Sequence, residues 1–207
     1  MNETAESPIG EQIDKAVKNG DVLRYALEVI AEASGFSLPQ LVQKGAICAD
    51  VEYGQEGYAL LPFHPKFLIL GEAPSQSTKR EKLISGALAA FSEPPVTVKR
   101  TCPQDLLKDL DREGTVHDVG LITWLNIFFE YEDSDGGEFV HFATSSEKLL
   151  ARGGRVVMSL IENDESRQKM IDTVIRQGIP GLRLSKLVGL RGATDTGNLI
   201  LIGEKLG

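Results

Sequence analysis

From residue 46 onwards, short apolar runs alternate with amphipathic segments, and this alternation restricts the fold more than any other feature of the chain. The apolar runs are "AICAD", "KFLIL", "PVTVKR", "VGLITWLNIFF", "RVVMSLI", "LRLSKLVGL" and "NLILIGEKL". Between the second and third runs, "STKREKLISGALAAF" places Leu83, Ala87 and Phe91 on one helical face. Strands that alternate with helices are typical of a parallel sheet covered on both faces.

The last two apolar runs break this alternation. Only "RGATDTG" separates them, and this Gly- and Asp-rich turn is too short for a crossover helix. The final strand should therefore run antiparallel beside its predecessor. The sequence predicts an α/β fold with a doubly wound, mostly parallel, seven-stranded Rossmann-like sheet whose last strand is antiparallel.

The first 45 residues do not show this alternation, and they predict an N-terminal helical extension. One helical pattern ends at Gly20, a second ends at Gly35, and "LPQLVQK" follows as a short third helix. We therefore predict two parts, an N-terminal helical extension over 1–45 and a Rossmann-like domain over 46–207. The extension could serve as a lid, as a packing appendage or as the surface of a homodimer, and we favour the lid.

Composition and charge exclude several classes of protein. A net charge of -8 disfavours a nucleic-acid partner, because binding to a phosphate backbone requires a basic face. No apolar stretch approaches the roughly 18 residues of a membrane span, and the acidic N-terminus is unlike a secretory signal, so we expect a cytoplasmic protein. Cys48 and Cys102 are too few for a disulfide framework or a zinc site, so we expect no metal.

The ends of the first two predicted strands carry residues suited to a nucleotide cofactor. In doubly wound sheets the ligand lies beyond the carboxyl ends of the strands. There, Asp50 is followed by Gly54 and Gly57, which let the backbone approach a ligand closely. Glu72 ends the second strand 18 residues after Gly54 (72 minus 54), a spacing at which an acidic residue binds ribose hydroxyls. The alternative is that Glu72 only favours the start of the following helix through its charge.

The next two strand ends extend the same candidate site. In "VKRTCPQDLL", the residues Thr101, Cys102 and Pro103 could lie against an adenine ring. The fourth strand runs into a group of aromatic and polar side chains, which fits a small-molecule pocket and core packing equally well. This group consists of Trp124, Asn126, Phe128, Phe129, Glu130 and Tyr131.

Taken together, these motifs resemble those of the class I S-adenosylmethionine-dependent methyltransferases, whose seven-stranded sheet ends in an antiparallel strand. "AICADVEYGQEG" looks like the first motif of that family, "LILGEAPS" the second, "VKRTCPQDLL" the third and "HDVGLITWLNIFFEY" the fourth. "LLARGGRVVMSLI" is similar to the family's "LkpGGrlvl" segment. The first motif is degenerate, because Glu52 and Tyr53 follow Asp50 and Val51 where the family has Asp-x-Gly-x-Gly-x-Gly.

The resemblance implies transfer of a methyl group from S-adenosylmethionine to an acceptor that the sequence does not identify. By position in the motifs, it assigns Asp50, Gly54 and Gly57 to the methionine end of the cofactor and Glu72 to the ribose. It likewise assigns Cys102 and Pro103 to the adenine, and Asn126 to the loop that faces the methyl group. A catalytic base is not identified; the residues considered for that role are His64, Glu130 and His141.

Substrate class and catalytic competence stay open at this stage. The "NPPY"-like tetrapeptide that marks amino-group methylation in nucleic acids or proteins is absent after the fourth strand, which favours a small-molecule acceptor. One alternative is a catalytically inactive methyltransferase-like binding protein, in keeping with the degenerate first motif. Another is a nicotinamide-dependent oxidoreductase, although the chain has no Tyr-x-x-x-Lys pair. The sequence "GEAPS" is also similar to the first motif of uracil-DNA glycosylases. However, no His follows residue 141 to supply the His-containing motif that comes late in the sequences of that family.

Overall fold

Seven strands form one sheet in the computed structural model, which describes residues 22–49, 57–72, 96–114, 116–127, 136–160, 165–190 and 198–207. The strands are β1 (Ala46–Cys48), β2 (Leu68–Glu72), β3 (Val96–Arg100), β4 (Val119–Ile127), β5 (Leu150–Leu160), β6 (Leu182–Leu190) and β7 (Asn198–Lys205). Their spatial order is β3-β2-β1-β4-β5-β7-β6, and among these strands β7 alone runs in the direction opposite to the other six. The predicted fold class is confirmed.

Helices cover both faces of this sheet. They are α1 (Val22–Ser34), α2 (Leu38–Gln43), α3 (Pro103–Glu113), α4 (Gly137–Leu149), α5 (Glu165–Gln177) and a 3₁₀ helix, η1 (Gly57–Phe63). Side chains of successive strand residues point to opposite faces. Ile47 of β1 accordingly packs in one buried cluster with α3, α4 and α5, whereas Cys48 packs in a second cluster with α1, α2 and η1.

The two N-terminal helices that the structure describes follow the sequence signals for their ends. Gly35 adopts φ 69° directly after α1, the left-handed conformation that glycine accepts most easily. Ser37 is the N-cap of α2, but its side chain makes no capping hydrogen bond, and Pro39 in the first turn helps to fix the start of this helix instead. The helix predicted to end at Gly20 lies outside the described residues.

Helix α2 lies in direct backbone contact with the sheet. A Cβ atom at Gly120 of β4 would lie 2.7 Å from the carbonyl carbon of Leu41, so only glycine leaves room for the helix. The carbonyl oxygen of Gly45, just after the helix, accepts a hydrogen bond of 3.0 Å from the Gly120 N–H. Leu38, Leu41 and Val42 are buried on the side of α2 that faces the sheet cluster. The backbone and the side chains of α2 are thus both fitted to the sheet.

The boundary between α4 and β5 differs from the sequence prediction. The sequence "EFVHFATSSEKLLARGG" predicts a helix that ends at the glycines 153 and 154, but α4 ends at Leu149 and β5 already begins at Leu150. Gly154 packs closely in the strand, because a Cβ there would lie 2.8 Å from the carbonyl oxygen of Val119. Gly153 has φ 73°. The glycine pair therefore serves strand packing and a local bend, and it does not end a helix.

Two further observations complete the fold. Within the described ranges, no helix combines the length and the apolar character that crossing a membrane requires. The helix predicted over 77–91 lies outside the described residues.

Candidate functional site

The candidate site lies at the carboxyl edge of the sheet, around the end of the short central strand β1. The strand order reverses between β1 and β4, and ligands of doubly wound sheets bind at such a point. The last residue of β1, Cys48, pairs with Leu70 of β2 and with Thr123 of β4. β2 continues two residues further, to Glu72, and β4 four residues further, to Ile127, which is roughly 7 Å and 13 Å of extended chain. β1 thus ends before both of its neighbours, and the position beyond its end, between β2 and β4, is called the recess below.

The floor of the recess is the end of β1. The Ala49 N–H donates a hydrogen bond of 2.8 Å to the carbonyl oxygen of Thr123, which ties the chain to β4 just after the strand. Asp50 and Gly54, assigned by sequence to the methionine end of a cofactor, lie outside the described residues. Gly57 is the first residue of η1. In sequence, the degenerate glycine motif therefore lies between β1 and η1.

The β2 wall approaches β1 very closely. A Cβ atom at Gly71 would lie 2.9 Å from Cδ2 of Leu106 and would collide with the carbonyl oxygen of Ala49. Glycine at this position therefore allows β1, β2 and α3 to meet. The next residue, Glu72, ends the strand, and its backbone pairs with Arg100 of β3. The acidic residue predicted for the ribose thus stands at the rim of the recess.

The junction of β3 and α3 brings a carboxylate to the position predicted for adenine. Cys102 is the N-cap of α3, and Pro103 is its first residue. The Cys102 thiol donates a hydrogen bond of 3.0 Å to Oδ2 of Asp105, and Lys108 lies 3.9 Å from Oδ1 of the same carboxylate. The sequence analysis did not assign Asp105. The signal that could have found it is its position three residues after a helix N-cap, where a side chain reaches back to the cap.

The β4 wall contributes less to the site than the aromatic pattern suggested. Trp124 is buried, and its ring lies 4.7 Å from that of Phe142 and 6.3 Å from that of Phe139, centroid to centroid, so it belongs to the core. Asn126 follows two residues later in the same strand. Phe128, Phe129, Glu130 and Tyr131 lie outside the described residues.

The two histidines considered as bases occupy different places in the fold. His64 stands in the turn before β2, with φ 53°, and so at the amino edge of the sheet, opposite the recess. His141 is an exposed residue of α4. In the described part of the chain, no three His, Cys, Asp or Glu side chains are grouped closely enough to hold a metal ion.

The donors and acceptors around the recess suit an adenosyl group. A carboxylate at the β2 end can accept hydrogen bonds from ribose hydroxyls, and the Asp105 carboxylate can accept one from an exocyclic amino group. These are features of the residues present, and they fit the cofactor that the resemblance implies.

Comparison with known proteins gives a similarity in structure alone. No protein-family model and no curated protein matches the sequence. TrmN from Thermus thermophilus superposes with a TM-score of 0.58 at 16% identity, covering 98% of this chain and 55% of that one. An rRNA methylase from Streptococcus thermophilus gives 0.54 at 10% identity, covering 82% and 92%. SMU.1697c from Streptococcus mutans, in a complex with SAH, gives 0.55 at 10% identity, covering 82% and 93%.

This chain has the class I methyltransferase fold. At these levels of identity the comparisons show the architecture, and the family resemblance of the motifs agrees with it. In this sheet β2 and β3 end at the same edge, with Glu72 as the last residue of β2 and Cys102 two residues after β3. The chain spans about half the length of TrmN.

Proposed function

We propose that this protein transfers the methyl group of S-adenosylmethionine to a small-molecule acceptor. The observation that carries the proposal is the recess above β1 in a sheet with the strand order of the methyltransferase fold, with Glu72 at its rim. When bound, the cofactor supplies an already activated methyl carbon, so the protein has mainly to align the reactants and exclude water.

The residues of this chain have defined tasks in the proposal. Glu72 accepts the ribose hydroxyls, and Cys102 with Pro103 lies along the adenine. Asp50, Gly54 and Gly57 hold the methionine end, and Asn126 faces the methyl group. Because the cofactor's carbon needs no activation by the protein, these roles are binding and orientation, and no strong acid or base is required of them.

The acceptor class is supported by the charge of the sequence after β4 and β5. β4 and β5 end side by side, with Ile127 paired to Leu160. The segments that follow them in sequence, 128–138 and 161–165, contain eight acidic residues and no lysine or arginine. Acidic sequence after these two strand ends disfavours a nucleic-acid acceptor, because binding to nucleic acid depends on neutralising phosphates. RNA is the alternative acceptor, favoured by the fold neighbour from S. thermophilus, which is an rRNA methylase.

Calorimetric titration tests the cofactor part of this proposal. We expect the purified protein to bind S-adenosylhomocysteine and not NAD, and we expect Glu72→Ala to weaken binding about 10- to 100-fold, because it removes charge-assisted hydrogen bonds. Glu32→Ala, at an exposed position of α1, is the matched control and should leave the affinity unchanged. Absence of S-adenosylhomocysteine binding would contradict the proposal, and binding of NAD would favour an oxidoreductase.

A second experiment separates the acceptor classes. The protein is incubated with S-adenosylmethionine labelled in the methyl group and with a cell extract divided into small molecules and RNA. We expect label in the small-molecule fraction. Label in the RNA fraction that ribonuclease treatment removes would overturn the assignment of a small-molecule acceptor, although methyl transfer itself would be supported. Cofactor binding without label in either fraction would identify an inactive relative.

A further inference from the structure

The 3₁₀ helix η1 follows the glycine motif and has few means of holding its own position. It contains seven residues, with Pro62 inside it, and 3₁₀ helices have poorer hydrogen-bond geometry than α-helices. Proline also lacks the N–H that such a helix would use. The position of η1 must therefore be fixed by its neighbours.

Those neighbours are mainly the N-terminal helices. Among the described residues, η1 packs against α1, α2 and β2. Leu60 and Leu61 of η1 are fully buried, in the same cluster as Leu27 and Ile30 of α1 and as Leu38 of α2. The side chains that anchor η1 thus pack against α1 and α2 as well as against the sheet.

The turn after η1 is joined to α2 through the backbone as well. The Lys66 N–H donates a hydrogen bond of 3.1 Å to the carbonyl oxygen of Gln43, the last residue of α2. The Ala46 N–H donates one of 3.0 Å to the carbonyl oxygen of Phe67. Since α2 is itself seated on Gly120 of β4, η1 is connected to the sheet through α2.

We propose that α1 and α2 are positioning elements for the cofactor site. They hold η1, and η1 begins at Gly57, a residue of the candidate cofactor site. Their packing thereby sets the affinity for the cofactor, although neither helix contributes a residue to the candidate site. This inference rests on the proposed function, and it assigns to the N-terminal helical extension a role distinct from that of a lid.

The test compares two fully buried leucines on opposite faces of the sheet. Leu27→Ala removes packing on the η1 side, and Leu149→Ala, at the end of α4, removes an equally buried leucine on the other side. Hydrogen exchange measured by mass spectrometry follows the amides of residues 57–67 in both variants, and calorimetry measures S-adenosylhomocysteine binding well below the unfolding temperature. Leu27→Met conserves most of the side-chain volume and serves as the rescue variant.

We expect exchange in 57–67 to become at least tenfold faster in Leu27→Ala, with affinity reduced at least fivefold, and both values to return towards wild type in Leu27→Met. Leu149→Ala should leave the affinity within twofold. Equal effects of the two alanine variants would overturn the inference, as would faster exchange in 57–67 with unchanged affinity. If Leu27→Ala does not fold, Ile30→Val on the same helix is measured against the control with the same criteria. Failure of the wild type to bind S-adenosylhomocysteine would instead refute the proposed function, and the exchange data would still decide whether α1 holds η1.

Discussion

Gly120 of β4 faces the backbone of α2, and replacing it by alanine tests whether this helix is seated directly on the sheet. A Cβ atom there would lie 2.7 Å from the carbonyl carbon of Leu41 and 3.0 Å from its Cα, whereas ordinary contacts begin at 3.4 Å. The helix must therefore retreat by at least 0.7 Å (3.4 minus 2.7). The obstructing atoms belong to the backbone, so the movement displaces the buried side chains of α2 together. Overpacking of this kind costs about 1–3 kcal/mol, and we expect about 3 kcal/mol.

The control is Gly203→Ala in β7. Its added Cβ would lie 2.8 Å from Cγ1 of Val156 and 3.2 Å from Cδ1 of Leu182, both ends of side chains that can adjust, so we expect a cost of about 1 kcal/mol. Replacing glycine by alanine also lowers the conformational entropy of the unfolded chain, and this stabilising effect is common to both variants. Urea unfolding followed by fluorescence of Trp124, the single tryptophan of the chain, measures the difference. In a thermal melt, Gly120→Ala should lower Tm by roughly 6–12 °C. An effect of Gly120→Ala no larger than that of Gly203→Ala would refute the contact between α2 and β4.

Two further substitutions probe the core and the recess. Ser146→Ala should leave the free energy of unfolding unchanged or raise it by up to about 1 kcal/mol, because the hydroxyl of this fully buried α4 residue has no hydrogen-bond partner. If urea unfolding shows a loss above about 1 kcal/mol, the hydroxyl must be hydrogen-bonded. Gly71→Ala should lower the free energy of unfolding by about 2 kcal/mol, because the added methyl group forces β2 away from Ala49 and Leu106. The same displacement should weaken S-adenosylhomocysteine binding. A calorimetric affinity equal to that of the wild type would contradict this.

The architecture could be predicted from sequence because it depends on periodicity. Alternating apolar runs and amphipathic segments specify strands and helices on both faces, and the short turn before β7 allows only an antiparallel return. The end of α4 could not be placed in this way. Gly153 and Gly154 resemble a helix stop, but the packing of Gly154 against the carbonyl oxygen of Val119, 35 residues earlier (154 minus 119), decides their conformation, and local sequence does not contain that contact.

The candidate site was predictable to a smaller extent. Glu72 and Cys102 were placed correctly at strand ends, since these positions follow from strand boundaries alone. The bond from Cys102 to Asp105 and the 3₁₀ helix at Gly57 were missed, because neither has an apolar periodicity. Trp124 looked equally suited to a pocket and to a core in sequence, and only its contacts with Phe139 and Phe142 assign it to the core. The ligand roles of the site residues stay predictions.

Crystallisation of the protein with S-adenosylhomocysteine tests the central claim most directly, since that claim locates an adenosyl group in the recess above β1. The account predicts electron density there, with the ribose beside Glu72 and the adenine beside Cys102 and Asp105. Density for the ligand at another edge of the sheet would contradict the account, and so would an empty recess in crystals grown at a ligand concentration that saturates the protein in solution.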